Sequence, residues 1–349
     1  MQQTLNKQPL SVFYWAMILS VVAIIGFAYV KWIPYYAKAF IAHSQHFIGD
    51  SIISGKAAAP PAASWTAAVD YALTYSQAIW KAMLLGLILG SGIKVLIPSR
   101  WMSAVLGKLG LKSVMLGGLF AIPCMMCTCC AAPVAAGMRQ KRASIGSVVS
   151  WWLSNPLLNP ATLVFMGFVL GWGWALFRLV FAIAMVLGVA YLAERYAGAA
   201  PAADIDQHFT TEPEVATASL WLSWLQEFMR MSIRLLPEYI VLVLLLGAAR
   251  VWLFPMFAID DSMLWIIFMA IAGMLFMIPT AGEVPIVQAM FALGMGAGPA
   301  AALIMTLPAI SLPSLVMLGK VLSLRVRVII ASGVVCSGII AGLVARFVF

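Results

Sequence analysis

Charge is what this sequence has least of. Only 9% of its residues are Asp, Glu, Lys or Arg, against roughly 25% in a soluble domain. That shortage excludes an ordinary soluble enzyme, a disordered chain and a fibrous protein. Histidine is scarcer still: there are three, without metal-site spacing, so they are read as ordinary loop residues. No Ser/His/Asp set is present and no His accompanies the cysteines, which argues against nucleophilic catalysis. A phosphate-cradling Gly-rich loop is missing too, which argues against ATP-driven transport by this chain alone. The chain is therefore expected not to be an enzyme and to need no cofactor. The net charge of +9 is read as basic loops on one membrane face, not as a nucleic-acid surface.

What is abundant is apolar: 64% of residues are hydrophobic, and 13 are Trp. An indole keeps one wet and one apolar side, which suits membrane interfaces. The fold class expected is an all-α integral membrane protein, a polytopic helical bundle. A bilayer core needs about 20 apolar residues of helix. Residues 12–30 supply a first span, retained because it is too long for a signal-peptide core. Further spans are expected near 76–97, 144–172, 174–194, 237–254, 298–319 and 328–347. Residues 197–218, with Asp204, Asp206, Glu212 and Glu214, read as a surface linker. Residues 219–235 read as an amphipathic helix on the membrane. The divisions are 1–70 for the first span and a non-cytoplasmic loop, 71–196 for a first repeat, 197–236 for the linker, and 237–349 for a second repeat.

The repeat rests on punctuation. Leu84–Pro98 aligns without gaps on Val241–Pro255, placing Gly90 on Gly247 and Pro98 on Pro255. Ile122-Pro123 then matches Ile278-Pro279, Pro133 matches Pro285 and Pro156 matches Pro308. Proline and glycine are the informative residues in such an alignment. Charge gives the orientation. Arg100, Lys108 and Lys112 precede the stretch 113–138, and Arg139, Lys141 and Arg142 follow it. Both clusters lie on the cytoplasmic side only if 113–138 enters and returns as a hairpin. The expectation is an inverted repeat, each half carrying three spans and one re-entrant hairpin. The N-terminus is then cytoplasmic, in a bacterial inner membrane.

Four Pro-marked breaks follow: 123–133, 155–160, 278–285 and 307–313. Non-helical backbone at membrane depth is tolerated only where it is buried or lines a wet cavity. The first break holds Cys124, Cys127, Cys129 and Cys130, four of the five cysteines. Thiolates are soft ligands for Cu(I), Zn(II) or trivalent arsenic, and a transported species suits two or three exchanging thiols. Cys127 and Cys129 are the expected ligands if the substrate is a metal, with Cys124 and Cys130 as further candidates. Cys124-x-x-Cys127 is a conceivable redox pair, whereas Cys336 reads as packing. The matching break is Thr280-Ala-Gly-Glu283-Val-Pro285. Glu283 is the one charge between Asp261 and Lys320; a lone carboxylate at membrane depth is a candidate for coupling. Asn155, Asn159, Thr280 and Ser311 are candidate substrate contacts, although they could instead satisfy backbone freed by proline. Lys94 and Arg250 are expected to snorkel at span ends. Arg178 has no partner visible in the sequence.

Cys127-Thr-Cys129-Cys130-Ala-Ala-Pro133 with the basic turn to Arg142 and then Ala-Ser144-Ile-Gly146, Asn155-Pro-Leu-Leu-Asn-Pro160, and Glu283-Val-Pro-Ile-Val-Gln288 together resemble a known pattern. It is that of the predicted permease family that includes the YraQ-type proteins and the ArsP organoarsenical permeases. The resemblance implies a multi-spanning inner-membrane permease. Its ArsP branch implies export of trivalent organoarsenicals bound by thiols, a role that would fall on Cys127 and Cys129. The extra Cys124 and Cys130 depart from the simpler pattern and leave other soft substrates open. The expected function is a secondary permease exporting a small thiophilic species. The expected partners are the lipid bilayer and that substrate, with a homo-oligomer or an accessory subunit possible in principle. The alternatives are a membrane thiol/disulfide redox protein and a carrier of a sulfur compound that works with a partner subunit.

Overall fold

Apolar runs, prolines and capping residues divide the chain into helices alone; among the described residues there is no strand. The computed structural model describes residues 10–55, 60–197, 220–255 and 259–349. Lys56 and the acidic linker residues Asp204, Asp206, Glu212 and Glu214 lie outside them. The N-terminal helix runs as α1 (Leu10–Phe27), a π-turn (Ala28–Trp32) and α2 (Ile33–Gln45). It is longer than the 12–30 span expected, because residues 33–45, expected within the non-cytoplasmic loop, continue the helix.

Two series of helices of the same order follow. The first is α3 (Trp65–Leu96), α4 (Ser99–Leu106), α5 (Leu111–Ala121), α6 (Thr128–Gln140), α7 (Ile145–Leu157), α8 (Pro160–Val169) and α9 (Trp172–Tyr196). The second is α10 (Leu220–Leu253), α11 (Met263–Leu275), α12 (Glu283–Ala292), α13 (Ala297–Thr306), α14 (Leu312–Met317) and α15 (Leu324–Val348). The N-terminal helix from Tyr14, together with α3, α9, α10 and α15, is long and apolar enough to cross a membrane. The 144–172 and 298–319 segments are each split in two, at the prolines that marked them. α10 is a correction: residues 220–235 do not form a separate surface helix but the first half of one 34-residue helix. Its interior Pro237 does not end it, and Glu227 faces inward on α3, so the second series begins before residue 237.

Both stretches whose course was in question return to their starting point. The Ser144 amide donates to the Leu106 carbonyl at 2.8 Å, closing the loop that contains α5 and α6. The Gly296 amide donates to the Ile259 carbonyl at 2.8 Å, closing the loop that contains α11 and α12. The α3–α10 pair runs antiparallel. Tyr71 lies against Gly247 and Arg250, Tyr75 stacks near Tyr239, and Lys94 at the other end meets Glu227. The two closures therefore lie at opposite ends of this pair. α9 and α15 are antiparallel as well, with Trp174 on Phe349 and Val189 against Gly333.

Small residues permit the closest crossing. A Cβ on Gly86 would collide with the Cys130 carbonyl, and one on Gly90 would lie 2.5 Å from the Pro133 carbonyl oxygen. This Gly-x-x-x-Gly stripe lets α3 sit directly on the cysteine-bearing helix, as small residues do between membrane helices.

Candidate functional site

The site is assembled where four breaks meet. Break one lies between α5 and α6. After Pro123 the chain turns through Met125 in the left-handed region (φ 50°) and re-enters helix at Thr128, with Cys127 as its N-cap. The break between α11 and α12 repeats the geometry: after Pro279 comes Ala281 at φ 67°, then helix from Glu283. A positive φ costs a side chain of the order of 1–2 kcal/mol. Finding it two residues after proline in both tips marks a shared turn. The loose carbonyls are satisfied from outside. Trp32 Nε1 donates to Pro123 O at 2.8 Å and Trp152 Nε1 to Thr128 O at 3.0 Å. Tyr71 OH donates to Met277 O at 2.6 Å and Tyr75 OH to Ile278 O at 3.4 Å.

Helical spacing decides which thiols meet. Because α6 starts at Thr128, Cys127 and Cys130 stand one turn apart on one face, and their Sγ atoms are 2.9 Å apart. Cys129 points elsewhere, with its Sγ 3.5 Å from Ser311 Oγ, which is also 3.4 Å from Thr128 Oγ1. The pair expected from sequence was Cys127 with Cys129; adjacent turns of the chain send those two in different directions. Cys124 is only partly buried and its Sγ turns back to Phe120 O. Among the described residues, no three His, Cys, Asp or Glu side chains converge to hold a metal ion.

Between the tips lies a small cavity with room for at most about one water molecule. Cys127, Thr128, Thr280, Glu283 and the proline of each split helix, Pro156 and Pro308, are in its wall. Asn155 and Asn159 are not. Asn155 Oδ1 accepts from the Met126 amide at 3.3 Å, tying the first tip to α7. Asn159 Oδ1 accepts from the amides of Ala161 and Thr162, capping α8. These two serve the backbone in this conformation.

Glu283 is not alone. Arg178 Nη1 donates to Glu283 Oε1 at 2.6 Å, and both side chains are withdrawn from solvent, at 0% and 1% exposure. Arg178 also donates to Pro156 O at 2.8 Å and Leu157 O at 3.3 Å. It sits at the C-terminus of α7 and Glu283 at the N-terminus of α12, so both helix dipoles favour this polarity. Glu283 Oε2 is buried without a hydrogen-bond partner among the described residues. Sequence reasoning missed Arg178 because its partner is 105 residues away in the other series.

Lys31 was missed as well. It resembled a flanking cation at the end of an apolar run, yet it is 5% exposed. Its Nζ donates to Thr280 Oγ1 at 2.9 Å and to Tyr35 OH at 3.2 Å. Lys94 and Arg250 do not snorkel outward. Lys94 pairs with Glu227 at 2.5 Å, and the Arg250 guanidinium lies over the Tyr71 ring at 5.4 Å.

Comparison with known proteins places these elements in context. Residues 64–347 match the model of a family described as predicted permease. The UPF0718 protein YraQ of Escherichia coli (strain K12) is 50% identical over 323 residues, covering 92% of both chains. A UPF0718 protein of Methanocaldococcus jannaschii is 23% identical, over 76% of this chain and 92% of its own. No solved structure matches.

Proposed function

Since the chain belongs to this predicted permease family and is an integral membrane protein, we propose that it is a secondary permease exporting a small thiophilic species, the trivalent arsenical being the model substrate. The observation that carries this is the Cys127–Cys130 pair, 2.9 Å apart at a helix N-terminus, with Cys127 in the wall of the buried cavity. Two thiols can hold one soft atom and still release it, unlike a closed cage of four. With an arsenical of the type R–As=O, two As–S bonds form and the As–O bond breaks. The two thiol protons leave with that oxygen as water, and no electron changes hands.

The two series of helices are read as an inverted repeat, supported by the antiparallel α3–α10 and α9–α15 pairs and by closures at opposite ends. Alternating access then comes from one half rocking on the other. The basic turn Arg139–Arg142 is assigned to the cytoplasm and the Asp260-Asp261 loop to the outside. The N-terminal helix is antiparallel to α3, as Leu19 on Gly92 and Leu85 on Gly26 indicate, which gives a cytoplasmic N-terminus in a bacterial inner membrane.

Cells expressing the parent protein are expected to survive trivalent arsenicals better than cells expressing Cys127→Ser or Cys130→Ser. Equal protection by both variants refutes the thiol role. A second reading, thiol–disulfide exchange, gains from the same pair, because Cys127 and Cys130 form a C-x-x-C at a helix N-terminus. There, two thiols would give two electrons and two protons to a partner disulfide. Thiol trapping during turnover separates the two readings: constant free thiols support transport, and cycling supports exchange.

A further inference from the structure

Among the described residues, several interior charges face an opposite charge. Arg178 and Glu283 neutralise each other, Glu227 holds Lys94 and Arg230, and Arg250 lies near Asp70. Lys31 is buried too, yet among the described residues no carboxylate pairs with it; the acidic groups that face it are the thiols of Cys127 and Cys130 and the Tyr35 phenol. An ammonium taken from water without an opposite charge is costly, and such residues mark substrate pathways. Its position is built, not incidental. It sits in the π-turn Ala28–Trp32, a helix irregularity frequent at functional sites. Next to it, Trp32 is hydrogen-bonded to the tip of the first hairpin, while Lys31 itself is bonded to Thr280 in the tip of the second. Thr280 and Cys127 share the cavity wall. The ammonium has three donors, and among the described residues two of them are used.

We propose that Lys31 is the anion-recognition group of this site, so that the species carried combines a soft, thiol-seeking atom with a negatively charged group. The inference rests on the thiol reading above and adds the charge of the substrate to it. The soft atom goes to Cys127 and Cys130, and the charged oxygen to Lys31 Nζ and the Thr280 hydroxyl. The N-terminus of α6 is directed to the same place and adds positive potential, while that of α12 is met by Glu283, itself neutralised by Arg178. Lys31 lies outside residues 64–347 that match the family. The N-terminal helix therefore supplies selectivity to a core that binds soft atoms.

Two probes with one soft centre and different charge test this: neutral phenylarsine oxide and its 4-carboxylate. Binding to purified full-length protein is measured by equilibrium dialysis with arsenic quantification. Lys31→Gln is expected to weaken the carboxylated probe on the order of 30-fold and to leave the neutral probe within about twofold. Lys31→Arg is expected to retain the preference. Thr280→Val, which keeps the charge and removes one anchor, is expected to lose roughly three- to tenfold for the carboxylated probe alone. The inference is overturned if Lys31→Gln affects neither probe, or weakens both equally, which would make Lys31 a partner of the thiol. If neither probe binds the parent protein, the thiol reading fails and this one with it.

Discussion

The Arg178–Glu283 pair gives the sharpest energetic prediction. Removing one partner of a buried ion pair strands the other, at about 3–5 kcal/mol. The two ends are unequal here. Glu283→Gln leaves Arg178 bonded to Pro156 O and Leu157 O, and the new amide oxygen can still accept from it. This variant is expected near the lower bound, about 3 kcal/mol. Arg178→Met leaves a bare carboxylate and two unpaired carbonyls, which places it at about 5 kcal/mol. Independent effects would sum to about 8 kcal/mol. The double variant is expected to be no worse than Arg178→Met alone, a coupling of about 3 kcal/mol. Exchanging the residues, Arg178→Glu with Glu283→Arg, is expected not to restore stability. The carboxylate would then face the α7 carbonyls and the guanidinium the N-terminus of α12. The measurement is a double-mutant cycle by reversible unfolding in detergent. Additive single effects, or recovery in the exchanged variant, would refute the reasoning.

Three further outcomes follow from the fold. Gly90→Val is expected to prevent the α3–α6 crossing and abolish folding yield, read by fluorescence-detected gel filtration. Gly188→Ala, where nothing lies within 4 Å of the added carbon, is expected to be neutral or to stabilise by up to about 1 kcal/mol. In a cysteine-free background, a thiol at Lys141 and one at Leu293 are expected to label from opposite sides of the membrane; labelling from one side sinks the inverted arrangement.

Much of this architecture was legible because proline is informative in an apolar chain. All four breaks fall where Pro123, Pro156, Pro279 and Pro308 announced them, since each removes a donor that the membrane cannot replace. The positive clusters around 113–138 pointed to a hairpin, and the bond between Ser144 and Leu106 closes one. Element lengths were less legible. Polar residues within α10 read as surface because their partners on α3 are distant in sequence. Partnerships were the least legible. Lys31 with Thr280, and Arg178 with Glu283, join positions 249 and 105 residues apart, and no local spacing encodes them. That Cys127 meets Cys130 turns on a single residue, the point at which α6 begins.

The bonds at Leu106 and Ile259 have a mechanical consequence. Each hairpin is clipped at its base to its own half by a backbone bond, while side chains such as Trp32, Asn155 and Tyr71 hold its tip, so it is a lever with its pivot at one end. The 13 residues of α6 give an arm of about 20 Å. A rotation of roughly 5° at the base moves the tip by about 2 Å over such an arm, enough to part Cys127 from Thr280. Two such levers on opposite pivots can open the same gap towards either face while no connection elsewhere in the chain has to stretch.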